Sequence, residues 1–369
     1  MSENQLEAIP EVMMAVQLTG NGGPEKLAVL HDIRVPDIGE DEVLIRVKAC
    51  GVNNTDINTR VGWYSKSVTA ATSSKGFGEI EDKQTWGGNK FSFPRIQGAD
   101  VCGIVVDVGN NADASLIGRR VLVDPCVRDP KSGNWRDNAR YLGSEINGAF
   151  AQYCAVPLRN TYPINSEMTD IELASFPCSW ATAEHMLTRS RLRKGQTLVV
   201  TGASGGVGTA LIQLAKLREA NVIAVTSLEK FDSVKDCGAD LLLDRNEKEL
   251  KSNIIELAQG PVDVLADVAG GNNFVQLFES IAKGGCYVTS GAIAGPIVDL
   301  DLRTLYLNDI EMHGCTVYDP AVFKLLVEYI ENERVKPIIG GVFRLEEIRH
   351  AQEEFSKKQH VGAMVLTVD

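Results

Sequence analysis

The residues best suited to chemistry form a run of small side chains, Gly202-Ala-Ser-Gly-Gly-Val-Gly208, which follows a β-branched stretch. The diphosphate of a dinucleotide must lie against backbone N–H groups at a helix N-terminus, where the helix dipole favours negative charge. Because side chains there would block the approach, this composition predicts a dinucleotide site, with a tight turn that binds nothing as the alternative. The predicted contacts are Ser204, Gly205, Gly206 and Val207.

The choice of cofactor is predicted from the strand after that turn, 221–226. An NAD site usually carries an acid at the end of this strand, which binds the ribose 2′-hydroxyl. Here Ser227 and Lys230 follow the strand, and Arg245 follows the next one. A hydroxyl and two cations suit a 2′-phosphate, so we predict NADP(H). Glu229 could serve as a displaced acid, and the two cations could be ordinary surface charges.

A parallel sheet is needed to position these residues. From residue 169 onward, strand patterns alternate with helix patterns, which is typical of a doubly wound α/β fold. The predicted strands are 197–201, 222–226, 241–243, 262–267, 285–289 and 312–317, and the predicted helices include 207–218, 273–282 and 321–333. The first third reads as short strands at 14–18, 43–48 and 103–108, and a last strand is predicted at 364–368. The polar segment 65–89 reads as a surface insertion or a lid.

Composition narrows the class of partner. The chain of 369 residues has 44% hydrophobic and 23% charged residues, which is typical of globular proteins, and its net charge of −12 argues against nucleic acid. Polar residues interrupt its longest uncharged stretch, 195–215, so we expect no membrane span, and the acidic residues 1–11 do not form a signal peptide pattern. Eight scattered cysteines indicate neither a disulfide framework nor a CxxC zinc site, so we expect a reducing cytoplasm.

The chain resembles the medium-chain dehydrogenase/reductase superfamily over nearly its whole length. The resemblance rests on Gly22-Gly-Pro-Glu25, Cys50-Gly-Val-Asn-Asn-Thr-Asp56, Pro94-Arg-Ile-Gln-Gly-Ala-Asp100, Gly148-Ala-Phe-Ala-Gln-Tyr153, Ala174-Ser-Phe-Pro-Cys-Ser-Trp-Ala-Thr-Ala183 and the glycine-rich turn. It implies a GroES-like, mainly β catalytic domain built from residues 1–160 and 319–369. It also implies a Rossmann NADP-binding domain, 161–318, with the active site in the cleft between the two.

The presence or absence of zinc divides this superfamily. Its zinc-dependent alcohol dehydrogenases place a cysteine where this chain has Asn53, and a His-Glu pair where it has Ala99 and Asp100. Only Cys178 remains at a ligand position, and a catalytic zinc needs three protein donors. We therefore expect no metal. The alternative is an alcohol dehydrogenase or aldehyde reductase whose atypical zinc site recruits Asp100, Cys102 and Cys178.

Asn53 makes the chain similar to the zinc-free branch, which contains quinone oxidoreductases and enoyl-thioester reductases. In that branch a nicotinamide delivers hydride to a quinone or to the β-carbon of a polarised double bond, and hydrogen bonds do the work of a metal. The resemblance implies that Tyr64 donates a proton or lines the pocket, that Thr55 holds a relay position, and that Thr182 lies beside the nicotinamide. It also shows Ala363 where a cofactor-binding lysine is often found.

The leading hypothesis is an NADPH-dependent oxidoreductase that reduces a small quinone, enone or enoyl thioester without metal. An alcohol dehydrogenase with an atypical zinc site and a non-catalytic NADPH-binding protein are the alternatives. Strand 312–317 is expected at the edge of the parallel sheet, where exposed apolar strands invite pairing. Members of the superfamily that resemble this chain pair that edge across a twofold axis, so we predict a homodimer. Cover by helix 321–333 is the alternative.

Overall fold

The computed structural model describes residues 8–72, 86–88, 91–129 and 131–369, so most of the predicted insertion 65–89 lies outside the described residues. The strands of the described part are β1 Val12–Leu18, β2 Leu27–Arg34, β3 Glu42–Val52, β4 Arg95–Ile96, β5 Cys102–Val108, β6 Arg120–Val123, β7 Cys126–Val127, β8 Arg140–Tyr141, β9 Tyr153–Pro157, β10 Thr161–Pro163, β11 Thr197–Thr201, β12 Asn221–Thr226, β13 Leu241–Asp244, β14 Val262–Asp267, β15 Ile281–Thr289, β16 Glu311–Gly314, β17 Ile339–Arg344 and β18 Ala363–Thr367. The helices are α1 Asn54–Val61, α2 Asp170–Leu173, α3 Pro177–Ser190, α4 Gly206–Leu217, α5 Phe231–Asp236, α6 Leu250–Ala258, α7 Phe274–Phe278, α8 Leu302–Leu307, α9 Pro320–Glu331 and α10 Ile348–Ser356. Among these residues, no helix has the length and apolar character that crossing a membrane requires.

The N-terminal strands form a mainly β unit that the C-terminal strands complete. The larger sheet runs β10-β6-β5-β3-β18-β17, and β9 pairs with β3. β1, β2 and β4 form a second, smaller sheet. Strand β3 places Val43, Ile45 and Val47 in the core, and only Glu42, Arg46 and Lys48 of this strand are not buried. Since β18 pairs antiparallel with β3, the last strand of the chain joins the larger sheet of the N-terminal unit.

The middle of the chain folds as a six-stranded parallel sheet, which confirms the predicted doubly wound α/β class. The strand order is β13-β12-β11-β14-β15-β16. Residues Leu198, Val199 and Val200 of β11 are fully buried, which explains the uninterrupted apolar run in the sequence. The chain moves from β11 first to one side and later to the other, so ligands are expected at the carboxyl end of β11.

Several predicted elements end elsewhere than expected, and in two of them strand pairing decides the boundary. The predicted helix 273–282 ends at Phe278, and Ile281 begins β15 by pairing with Val262. The predicted strand 312–317 is the edge strand β16 and ends at Gly314. Val317 therefore lies beyond that strand.

A buried polar cluster connects the larger sheet of the N-terminal unit to the parallel sheet by hydrogen bonds. Arg128 donates from Nη1 to Asp124 Oδ2 at 2.8 Å and from Nε to the Tyr318 carbonyl oxygen at 2.7 Å. The Tyr318 hydroxyl donates to Asp124 Oδ1 at 2.7 Å. Asp124 follows β6, whereas Tyr318 follows the edge strand of the parallel sheet. We call Asp124, Arg128 and Tyr318 the cross-sheet cluster.

Candidate active site

A single cleft collects residues from both sheets. Its lining comes from α1, from the turn before α4, from α3 and from the segment between α10 and β18. Of the residues predicted from the sequence, the cleft is lined by Asn53, Thr55, Tyr64, Thr182, Ser204, Gly205, Gly206, Val207, Lys230 and Arg245. The structure therefore brings together residues that the sequence separates by almost two hundred positions.

The glycine-rich turn has the backbone geometry that a diphosphate cradle needs. Gly205 is the N-cap of α4, with φ −81° and ψ 175°, and Gly202 has a positive φ of 57°. A side chain at Gly208 would collide with the Gly202 carbonyl oxygen, so α4 packs this closely against the turn only with glycine there. The cradle fits the diphosphate of a dinucleotide, which would lie at the N-terminus of α4.

Of the three residues predicted to bind the 2′-phosphate, two line the cleft and one does not. Arg245 is exposed and lines the cleft. Lys230 lines it too, but its Nζ donates to the carbonyl oxygens of Lys358 and His360 at 2.5 and 3.1 Å. Ser227 is not part of the cleft lining, because it is buried and donates its hydroxyl to Glu229 Oε1 at 2.6 Å. The structure thus does not bring Ser227 to the cleft with the two cations.

Asn53 precedes α1 and its side chain is held in one orientation. Its Nδ2 donates to Asp100 Oδ2 at 2.7 Å, and its Oδ1 accepts from the Ser179 hydroxyl at 3.3 Å. Its backbone N–H donates to Asp56 Oδ2 at 2.8 Å. Nδ2 carries two hydrogens, and Asp100 takes one of them. The second hydrogen can serve a ligand in the cleft.

Asp100 is a site residue that the sequence offered only as a metal ligand. Besides Asn53, it accepts a hydrogen bond from the Cys178 backbone N–H at 2.6 Å. Burial raises the pKa of this carboxyl group to about 7. A side chain at Gly51 would overlap Asp100 Oδ2, so glycine at that position makes room for the carboxylate. Asp100 acts here as the group that orients the Asn53 amide.

Tyr64 and Thr55 both line the cleft. Thr55 lies in the first turn of α1, and Tyr64 follows the end of that helix. The Tyr64 hydroxyl donates to Thr55 Oγ1 at 3.1 Å. Burial raises the pKa of Tyr64 to about 12. The phenol is therefore protonated at neutral pH and holds a proton that it can donate inside the cleft.

Two further aromatic residues, which sequence reasoning missed, form an aromatic wall of the cleft. The rings of Trp86 and Tyr141 are 4.7 Å apart, and both line the cleft. Trp86 is held by its backbone N–H, which donates to Ser144 Oγ at 3.1 Å. Their separation in the sequence leaves no local pattern from which the pair could be predicted. Aromatic side chains at the cleft suit an apolar, conjugated ligand.

The donor set does not fit a catalytic zinc. In the described ranges, no group of three or more His, Cys, Asp and Glu side chains is arranged to hold a metal ion. Asp100 already accepts from Asn53 and Cys178, whereas Cys102 Sγ lies 3.7 Å from Asp170 Oδ1. The three ligands of the zinc alternative therefore do not assemble around one point.

Comparison with known proteins finds two family models that match the chain, together with relatives named as alcohol dehydrogenases and as quinone oxidoreductases. The family model described as "Alcohol dehydrogenase GroES-like domain" matches residues 39–166, and the model described as "Zinc-binding dehydrogenase" matches residues 206–332. The structure of a candidate alcohol dehydrogenase from Sinorhizobium meliloti 1021 is 42% identical, with a TM-score of 0.88 and 98% of each chain covered. An NAD-dependent alcohol dehydrogenase of Sulfurisphaera tokodaii is 28% identical over 96% of this chain and 99% of its own length. A quinone oxidoreductase of Rattus norvegicus is 25% identical over 96% of this chain and 98% of its own length.

Proposed function

The chain belongs to the medium-chain dehydrogenase/reductase superfamily, and from this membership we propose that it is a metal-independent, NADPH-dependent reductase of a quinone, an enone or an enoyl thioester. The observation that carries the proposal is the Asn53 amide, which Asp100 fixes at the cleft wall at 2.7 Å. Such an amide polarises a carbonyl group where a related zinc enzyme would use its metal. Eight free cysteines support a reducing, cytoplasmic setting.

The cradle and the cleft divide the work between cofactor and protein. The nicotinamide, when bound, supplies the hydride. Residues Ser204 to Val207 would hold the diphosphate, and Thr182 would lie beside the nicotinamide. Asn53 donates its second amide hydrogen to the substrate carbonyl oxygen, and this hydrogen bond strengthens as negative charge develops there.

Tyr64 completes the reduction from the protein side. Its phenol carries a proton on Oη at neutral pH, because burial raises its pKa to about 12. The hydrogen bond to Thr55 Oγ1 holds this hydroxyl in place before substrate binds. The enolate or quinol oxyanion produced by hydride addition can then accept the proton from Tyr64 Oη. The Trp86–Tyr141 wall favours apolar, conjugated substrates, in which such an anion is delocalised.

The proposed activity is tested by NADPH oxidation with quinones, enones, enoyl-CoA esters and aldehydes, each with and without a chelator. We expect turnover with a conjugated acceptor that the chelator leaves unchanged. An alcohol dehydrogenase is the second candidate, since similar proteins carry that name. Stoichiometric zinc with chelator-sensitive alcohol oxidation would favour it. Tight NADPH binding without turnover of any acceptor would favour a non-catalytic protein.

We predict that Arg245→Ala weakens NADPH binding by about 10- to 100-fold and changes NADH binding by less than about twofold. A charge-assisted hydrogen bond to the 2′-phosphate contributes about 1.5–3 kcal/mol, and NADH lacks that phosphate. Arg245 is a cleaner test than Lys230, whose Nζ also holds the backbone of the C-terminal segment. Fluorescence titration with both dinucleotides gives the two Kd values.

Arg193→Ala, at another exposed arginine, is the matched control and should bind both dinucleotides as the unmodified protein does. The cofactor proposal is wrong if the unmodified protein binds NADH as tightly as NADPH. Glu229 is exposed beside the cleft and is the acid that could produce that outcome.

We propose a homodimer that forms along the edge strand β16. Exposed apolar side chains accumulate in and before this strand, namely Ile297, Val298, Leu302, Tyr306, Leu307 and Met312. An exposed apolar edge that is not covered is prone to pair with another chain. A twofold axis beside β16 would place the same patch on both partners and so close the assembly.

We predict that Met312→Asp halves the mass measured by light scattering at micromolar concentration. Met312 lies in β16 and is 39% exposed, so a carboxylate there would be buried without a partner in the dimer. Val342→Asp, on the edge strand β17 of the other sheet and 47% exposed, is the control and should leave the mass unchanged. A mass of one chain for the unmodified protein would refute the dimer.

A further inference from the structure

Lys358 is a half-buried cation that the proposed chemistry has not used. It lies between α10 and β18 and lines the cleft. Its Nζ donates to Asn54 Oδ1 at 2.7 Å and lies 3.8 Å from the centre of the Phe355 ring. Both partners are neutral. Within the described part of the chain, no carboxylate forms an ion pair with Lys358.

The surroundings of Lys358 disfavour the charged, ammonium form of its side chain. The charge that acts on it is that of Lys230, which has the same sign and whose Nζ donates to the Lys358 and His360 carbonyl oxygens. Burial, followed by the effect of Lys230, lowers the pKa of Lys358 to about 7. A charge that is partly withdrawn from water and has no counter-ion is unfavourable in a folded protein. Its position in a ligand cleft indicates that the missing counter-ion is a ligand anion.

The backbone places this cation beside the phosphate cradle. Gly362, at the end of the same segment, donates its N–H to the Ser204 carbonyl oxygen at 2.8 Å. Its φ is +80°, and a side chain there would collide with the Ile338 carbonyl oxygen, so the segment approaches the turn only with glycine. The segment that carries Lys358 is thus hydrogen-bonded to the turn that begins α4.

We infer that the Lys358 ammonium group binds the diphosphate of the dinucleotide, in the same cleft as the backbone N–H groups of the α4 N-terminus. The inference rests on the proposed nicotinamide cofactor. Lys358 would also supply the positive charge that is missing at Ala363, five positions further along the chain, where a cofactor-binding lysine is often found. Arg245 is left to contact the 2′-phosphate.

Binding of a diphosphate by Lys358 has a consequence for protons. The bound anion stabilises the ammonium form, so the pKa of Lys358 rises from about 7 on binding. At pH 8 the free group is mostly neutral, and close to one proton is taken up per dinucleotide; at pH 6 the uptake is small. The titratable groups around it are Lys230, after β12, and His360, in the same segment. Burial lowers the pKa of His360 to about 4, so His360 is neutral at both pH values, and the contacts of Lys358 on α1 and α10 are neutral too.

The test compares Lys358→Met with Lys357→Met. Methionine keeps an apolar stem against Phe355 and removes the charge, whereas Lys357 is exposed and ion-paired with Glu354 at 2.5 Å. Calorimetric titration in two buffers of different ionisation enthalpy measures Kd and proton uptake together. We expect Lys358→Met to bind both NADH and NADPH about 10- to 100-fold more weakly and to lose the uptake at pH 8, with a normal circular dichroism spectrum. Lys357→Met should match the unmodified protein.

Lys358→Arg separates charge from titration. An arginine stays charged, so this variant should regain most of the affinity without the proton uptake. The inference is overturned if Lys358→Met binds both dinucleotides normally, or if it loses affinity for NADPH alone. If the unmodified protein binds neither dinucleotide, the proposed cofactor fails first, and the inference fails with it.

Discussion

Gly205→Asp is expected to abolish dinucleotide binding while the protein still folds. The nearest atom to an added Cβ is the Gly202 carbonyl oxygen at 3.6 Å, and the backbone angles of Gly205 suit any residue. Aspartate is also a better N-cap than glycine, so the Tm should stay the same or rise by about 1 °C. In the cofactor complex, however, its carboxylate would face the diphosphate. Two like charges about 4 Å apart repel by about 4 kcal/mol at an effective dielectric constant of about 20, which raises Kd about 10³-fold.

Gly205→Ala is the matched control for this change. It adds the same Cβ without the charge, so the ratio of the two Kd values for NADPH gives the effect of the carboxylate apart from that of the added side chain. Calorimetry gives the Kd values, and thermal unfolding without cofactor shows that both variants are folded. Normal NADPH binding by Gly205→Asp would contradict the placement of the diphosphate at the N-terminus of α4.

Asn53→Ala is expected to lower kcat by about 10²- to 10³-fold. This is the usual effect of removing one hydrogen-bond donor that stabilises a developing oxyanion. The Kd for NADPH should change by less than about threefold, because the proposed cofactor contacts lie on the turn before α4. Steady-state kinetics with the best acceptor of the panel, together with dinucleotide titration, separates the two effects.

Asn53→Asp sharpens the same test. It keeps the shape of the side chain but replaces the donor with a carboxylate beside Asp100, so kcat should fall at least as far. Asn111→Ala, at an exposed asparagine that donates to Asp41 at 2.9 Å, is the control and should leave kcat unchanged. A kcat within about threefold of normal in Asn53→Ala would remove Asn53 from the proposed role.

The fold could be predicted largely because its signals are local. The β-branched runs of the parallel sheet and the glycine-rich turn are each contained in fewer than ten residues. The end of the helix predicted at 273–282 could not be obtained that way. It depends on Ile281 pairing with Val262, a contact that exists only after the sheet forms.

In the candidate site, too, the features that lie in short motifs could be predicted, and those that depend on contacts between distant positions could not. The turn and Asn53 belong to short motifs, but the role of Asp100 depends on a hydrogen bond across 47 positions, and Lys358 meets Asn54 across 304 positions. For Ser227, by contrast, the sequence could not show which group the hydroxyl would contact even though that group is a near neighbour in the chain. A neighbour two positions away, Glu229, accepts its hydrogen bond, and the local pattern did not reveal which acceptor the hydroxyl would choose.

The cross-sheet cluster constrains how the cleft can open. It lies behind the aromatic wall, because Cys126 in β7, two residues before Arg128, pairs with Tyr141 in β8. On the cradle side, the C-terminal segment is held by the Gly362–Ser204 backbone hydrogen bond and by Lys230, whose Nζ donates to two carbonyl oxygens of that segment, whereas the cluster is a buried, charge-assisted network. Any opening of the cleft that pulled the two sheets apart at this point would leave Asp124 and Arg128 buried without their hydrogen-bond partners, which is strongly unfavourable. The cluster therefore limits cleft opening to movements that keep Asp124, Arg128 and Tyr318 together.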